Sequence, residues 1–272
     1  ARPFIAALGN RAKGGGYEDA DALESAKLIF CEIGNIYDVR GNLNKLANMF
    51  IDPNFITNKG FFSGFDSSGW PNMLYQIIYS SIDIAEKVKS GCSTILHCSD
   101  GWDRASQMTA FTQMLVDPYF RTLKGYMVLV EKDFLSFGHN FKSRNGYYDP
   151  NGVKENQISP IFLQFLDATS QLLVQYPMYF EFNMKFLVFV ANHITSGKYG
   201  TFMFNNEKER DIMNAKVDTC SIWTDVLENK SQFINDLYVA NSGENMKFVE
   251  RTQYIIEPKS TKIACEVHFL AE

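Results

Sequence analysis

Residues 91–118 read GCSTILHCSDGWDRASQMTAFTQMLVDP, and little in that stretch can be placed in more than one way. Upstream of it, Leu74, Ile77, Ile78, Ile82, Ala85 and Val88 recur at helical spacing between Asn72 and Ser90. Gly91 follows where such a helix ends, because glycine accepts the left-handed backbone of a C-cap. Thr94 to His97 is a short apolar run, too short for a helix, and reads as a buried strand. Ser106 to Val116 is helical until Asp117-Pro118 stops it. The order helix, strand, tight loop, helix therefore sets residues 98–104 where a strand enters a helix N-terminus.

The rest of the chain is read around that unit. Ala26 to Glu32 (AKLIFCE) suits a second buried strand, and Val39, Leu43, Leu46 and Met49 predict a helix over residues 36–50. Ser159-Pro160 reads as a helix start, serine as N-cap and proline in the first turn, with Phe162, Phe165, Leu166, Leu172 and Leu173 as the buried stripe. Residues 183–194 predict a very apolar helix, buried on most sides. The C-terminal third reads as helical to about Leu237 and irregular beyond. Helices dominate and strand candidates are few, so the fold class is α/β with a small central sheet. No linker-like segment divides the chain, so residues 1–272 read as a single domain.

Composition narrows the function class. A hydrophobic share of 46% against 21% charged residues is enough to build a core. The net charge of −5 argues against general nucleic-acid binding, which asks for a basic face. No apolar run reaches the ~18 residues of a membrane span, and ARPFIAALGNRAKGGGY at the N-terminus lacks the apolar stretch of a signal peptide. The five cysteines are widely spread and form no C-x-x-C pair, so neither a disulfide framework nor a zinc site is expected. A reducing, cytosolic compartment fits that usage.

The loop itself, HCSDGWDRASQ over residues 97–107, is chemically crowded. A cysteine attacks only as a thiolate, and two features here favour that form. The loop leads into a helix N-terminus with unpaired N–H groups, and Arg104 adds a full charge six residues on. If the loop closes, its N–H groups and the Arg104 fork converge on a volume that suits a tetrahedral oxyanion. Among the five cysteines only Cys98 has arginine at this spacing.

HCSDGWDR resembles the active-site loop of the myotubularin phosphoinositide phosphatases, a branch of the cysteine-based phosphatases. ARPFIAALGNRAKGGGYE, GNIYDVR, DPYFRTLKGYMVLVEKDFLSFGH, SPIFLQFLDA, FEFNMKFL and YGTFMFNNEKERD are similar to that family too, so the resemblance runs from residue 1 to about 240. It implies a cysteine-based phosphatase fold with a small, mostly parallel central sheet flanked by many helices. It implies that Cys98 attacks the 3-phosphate of phosphatidylinositol 3-phosphate or the 3,5-bisphosphate, through a phosphocysteine that water then releases. Arg104 holds the oxyanion, Ser99, Gly101 and Trp102 complete the cradle, and Asp103 is the general acid, with Asp100 as rival. No metal and no cofactor are implied. The partners implied are a phosphoinositide headgroup and a peripheral membrane contact at endosomal or similar membranes. The alternatives are a catalytically weak lipid-binding scaffold, or a phosphatase with a shifted headgroup or a phosphoprotein substrate.

Family members begin their phosphatase domain upstream of the segment matching residue 1, so the chain also reads as an incomplete piece of a longer protein. Neither the pleckstrin-like domain nor the coiled coil of many members is visible, and dimerisation would rest on regions not present here.

Around the loop, Asn10, Asn35 and Arg144 match positions that contact the inositol headgroup. On the residues alone, Asn10 is a turn residue, Asn35 a helix cap and Arg144 a solvated charge. Asn140 stands where the family usually carries a second arginine; the change removes a charge-assisted contact worth about 1.5–3 kcal/mol and is expected to favour the 3-monophosphate or to shift the preferred headgroup. Ala105 replaces the usual threonine after the arginine. His97 is expected to brace the loop by hydrogen bonding, Cys92 to be buried, and Lys13 and Lys142 to be surface lysines.

Overall fold

Apolar side chains three and four residues apart make helices here, and the helices bury one another's faces. The computed structural model describes residues 27–51, 61–146 and 155–240. They form α1 (Ile36–Ile51), α2 (Phe61–Ser67), α3 (Trp70–Lys89), α4 (Arg104–Val116), α5 (Leu123–Val130), α6 (Phe141–Asn145), α7 (Ile161–Gln175) and α8 (Met184–His193). Four short helices follow, α9 (Glu207–Ile212), α10 (Ala215–Asp218), α11 (Ile222–Glu228) and α12 (Lys230–Phe233).

α3 ends as expected. Gly91 takes φ +86°, its N–H donates to the Val88 carbonyl, and the Cys92 N–H donates back to Lys87, each at 3.0 Å. Those two bonds satisfy carbonyls that the helix end leaves open.

α4 lies at the centre, packed against α3 and α7. It is buried on nearly every side from Ala105 to Leu115, so its polar residues need partners inside the protein. Gln107 supplies one answer, since its Nε2 donates to the Ile161 carbonyl at 2.8 Å and to Gln164 Oε1 at 2.9 Å. Trp70 Nε1 donates to the buried Asp167 Oδ2 at 2.7 Å and joins α3 to α7 in the same way.

Below α4 the aromatic residues meet. Phe162 packs its ring 4.9 Å from Phe134, 5.0 Å from Phe141 and 5.5 Å from Phe202, centroid to centroid. α5 runs into a π-helical turn, Glu131–Ser136, which puts Phe134 into this cluster. Gly138, at φ +79°, then turns the chain so that His139 and α6 return beneath α4.

No sheet is seen among the described residues: 27–33 and 92–98 carry no regular structure. Elsewhere among the described residues two isolated bridges occur, Phe182 with Ile234 and Tyr199 with Cys220. A strand is completed by pairing with another strand, and neither run shows such pairing among the described residues, where Phe30 and Ile95 stand 50% and 90% exposed. Ser159 does not cap α7, because Pro160 holds the N-cap position and the Ser159 hydroxyl donates to the Ile36 carbonyl at 2.8 Å. α8 buries one face, Phe186, Leu187 and Val190, while its other side borders an open groove. No described helix is long and apolar enough to cross a membrane.

The aromatic cluster should carry much of the stability. Phe162→Ala is expected to cost about 3–5 kcal/mol in urea unfolding, because a fully enclosed ring leaves a cavity its neighbours fill only in part.

Candidate active site

Residues 98–104 close on themselves before α4 begins. Gly101 takes φ +87°, a backbone that L side chains rarely adopt, and its N–H donates to Cys98 Sγ at 3.2 Å. Arg104 reaches back across the loop, Nη2 to Ser99 Oγ at 3.1 Å. Cys98 is half-buried, and Ser99 and Asp100 are exposed. The sulfur therefore accepts from a backbone N–H, in a loop that carries the Arg104 guanidinium and leads into α4, in a place that solvent reaches. Those are the electropositive, partly open surroundings of a reactive cysteine.

Asp103 is placed differently from its neighbour Asp100. It occupies the N-cap of α4 but caps nothing with its side chain. The carboxylate turns inward to Arg144, with Nη2 2.7 Å from Oδ2 and Nε 3.0 Å from Oδ1. His139 Nδ1 lies 3.1 Å from Oδ1 as well. Burial pushes the Asp103 carboxyl up, but hydrogen bonds from His139 and Arg144 and their charges outweigh it and pull it down to about 2. Without substrate, then, the Asp103 carboxylate is an anion held by two donors.

Arg144 is likewise committed. Its remaining nitrogen, Nη1, donates to the Gln157 carbonyl at 2.9 Å and to Gln157 Oε1 at 3.1 Å, and the residue is only 4% exposed. The solvated charge read from the residues alone is thus a buried one, and its guanidinium is turned to Asp103 and Gln157 rather than to open space.

The other candidates sort by position. Asn35 is the N-cap of α1: its Oδ1 accepts from Tyr37 and Asp38 N–H, while Asp38 Oδ2 accepts from the Asn35 N–H at 2.9 Å. That reciprocal capping box occupies the amide oxygen. Asn140 holds the N-cap position of α6, half-buried. Trp102 is half-buried with its indole N–H enclosed, and Ala105 is buried in the first turn of α4. Cys92 is exposed rather than buried, and Lys142 is half-buried on α6. Asn10 and Lys13 lie outside the described residues.

His97 is exposed, and the histidine that braces the loop is His139. It is fully buried, edge-on to Phe134 and Phe141, with Nδ1 2.7 Å from the Trp102 carbonyl. Sequence reasoning passed over it. The available signal was a histidine after a turn glycine, five residues before Arg144.

Comparison with known proteins agrees with the loop. A family model described as "Myotubularin-like phosphatase domain" matches residues 1–211. Myotubularin of Xenopus tropicalis is 41% identical over 239 residues, which cover 88% of this chain and 39% of that protein. The phosphatidylinositol-3,5-bisphosphate 3-phosphatases MTMR2 and MTMR6 of Mus musculus are 41% and 40% identical over 89% of this chain. The chain spans 38% and 39% of their lengths.

The Asp103–Arg144 pair predicts a pH-dependent stability. Asp103 sits below its ordinary 3.8 in the folded state, so it contributes stability above about pH 4 that is lost as the pH falls toward 2. The shift corresponds to about 2 kcal/mol. Asp103→Asn should cost about 3–5 kcal/mol near neutrality by leaving Arg144 buried and unpaired. The gap to wild type should narrow as urea unfolding is repeated down to about pH 2.5. A gap independent of pH would show that the pair does not carry this stability.

Proposed function

We propose, from the premise that this chain belongs to the myotubularin-like phosphatase family, that it is a phosphoinositide 3-phosphatase working through Cys98. The observation that carries the reading is the closed loop, in which the Gly101 N–H meets Cys98 Sγ and Arg104 opens α4 six residues on. Cys98 as thiolate attacks the 3-phosphorus, a P–S bond forms, and the bond to the inositol oxygen breaks as that oxygen takes a proton from a loop carboxyl. Water then attacks the phosphocysteine, releasing inorganic phosphate and returning the thiolate. Loop N–H groups, including those of Ser99, Gly101 and Trp102, and the Arg104 fork stabilise the charge on the transferring group.

Relatives are named for phosphatidylinositol 3,5-bisphosphate, and the substrate class proposed here is the 3-monophosphate with the 3,5-bisphosphate as second substrate. Asn140 supports that order, because a neutral amide offers a second ring phosphate less than a guanidinium would. The headgroup places the reaction at the cytosolic surface of endosomal or similar membranes, reached by peripheral contact. The exposed apolar runs at 28–30 and 94–96 fit strands of the small, mostly parallel sheet of this fold class.

Phosphate release from vesicles containing phosphatidylinositol 3-phosphate tests the reading. The wild-type chain should release phosphate and Cys98→Ser should not exceed background. Saturable headgroup binding without release would favour the scaffold alternative. Asn140→Arg should raise the rate on the 3,5-bisphosphate relative to the 3-monophosphate, and an unchanged ratio would remove Asn140 from headgroup selection.

A further inference from the structure

The turn at residues 155–159 is tied to two helices at once. From α1, Arg40 Nη1 donates to the Glu155 carbonyl at 2.6 Å and to the Ile158 carbonyl at 3.3 Å. The Ile36 carbonyl, one turn earlier on α1, accepts from the Ser159 hydroxyl at 2.8 Å. From α6, the Arg144 carbonyl accepts the Ser159 N–H at 2.8 Å, and Arg144 Nη1 donates to the carbonyl and the side-chain oxygen of Gln157. Gly146, at φ +66°, lets the turn come this close, because a Cβ there would stand 2.9 Å from Ile158 Cδ1. Two residues after the turn, the Ile161 carbonyl accepts from Gln107 of α4.

Arg40 has the chemistry that this place asks for. The Glu155 and Ile158 carbonyls converge on one nitrogen, and two oxygens side by side repel unless a donor lies between them. A guanidinium N–H brings positive charge with it, so each bond is stronger than one from a neutral donor. The guanidinium also lies over the Tyr37 ring, 5.5 Å from its centroid, which directs the half-buried side chain along α1. Arg40 and Glu155 are 115 residues apart, so the contact is a product of the fold and not of local sequence.

The consequence reaches the nucleophile loop. Gln157 fixes Arg144 Nη1, which leaves Nε and Nη2 aimed at Asp103, the residue before Arg104. Without Arg40 the turn keeps the Ser159 hydroxyl as its tie to α1, and Gln157 is free to shift. Arg144 would follow Gln157, and the end of the loop that it holds would follow Arg144.

Resting on the phosphatase reading above, we propose that Arg40 is a positioning residue. It staples the 155–159 turn to α1 and so holds Gln157, Arg144 and the Asp103 end of the loop in the geometry that serves the reaction. It acts through the turn and not by touching the substrate.

Phosphate release from vesicles containing phosphatidylinositol 3-phosphate is measured for the wild-type chain, Arg40→Met and Arg40→Lys. Hydrogen exchange of the Arg144 Nε–H is followed by NMR in the same proteins. Arg40→Met keeps a stem over Tyr37 but offers no donor. It should lower kcat about tenfold with KM little changed, since a group misplaced by about 1 Å can cost ~10²-fold. The Arg144 Nε–H should exchange about tenfold faster, a local opening that a global loss of stability would not confine to this site. Arg40→Lys returns a charged donor and should recover most of both losses. An unchanged kcat would overturn the proposal, and so would a raised KM alone, which would make Arg40 a headgroup contact.

Should Arg40→Met fail to unfold cooperatively in urea, Ser159→Ala loosens the same turn from α1 and is read the same way. No change in its kcat or in the Arg144 exchange would overturn the proposal. If the wild-type chain is no faster than Cys98→Ser, the phosphatase reading fails by itself. The staple is then judged by the Arg144 Nε–H alone, where faster exchange in Arg40→Met supports it and unaltered exchange overturns it.

Discussion

The pairing of Asp103 with Arg144 is the contact on which the site depends. Asp103 ends the loop as the N-cap of α4, while Arg144 lies near the end of α6, 41 residues further along the chain. Their two-point bond fixes distance and orientation together, because a guanidinium meets a carboxylate in one plane. An ion pair this deeply enclosed adds less to stability than its Coulomb energy suggests, since both charges have been taken out of water. Its structural value is that neither partner can leave without stranding the other.

That pair is seated on an apolar foundation. Phe134, Phe141 and Phe162 bring the segment carrying His139 and Arg144 against the underside of α4. Gln107 ties α4 to the first turns of α7. The loop above is held from beneath by buried contacts, and its upper face, with Ser99 and Asp100, is open to solvent. A rigid base with an open rim is the arrangement that lets preorganised donors face an incoming phosphate without reordering during the reaction.

Much of this was legible in the residues. α1, α3 and α4 begin and end within two residues of the positions that apolar spacing, Gly91 and Asp117-Pro118 mark. Local signals carry such elements, because caps and stop residues act within a turn or two of the backbone they end. The nucleophile and the arginine were legible for the same reason, lying six residues apart in one loop. Asn35 was weighed as a helix cap or a headgroup contact, and its capping box follows the local reading. The strands were not found among the described residues, because a strand's state depends on a neighbour that its own sequence does not contain.

What separates Asp100 from Asp103 is likewise non-local. In sequence they are two carboxylates three residues apart in one loop, alike in chemistry. His139 and Arg144 arrive only when the chain folds back across Gly138, and their donors make Asp103 an anion while Asp100 stays in solvent. The sequence by itself therefore determined the loop, its cysteine and arginine, the helices that frame them and the family to which the chain belongs. Only the tertiary structure decided which carboxylate is buried and paired, because ionisation depends on burial and on charges that neighbours in space supply.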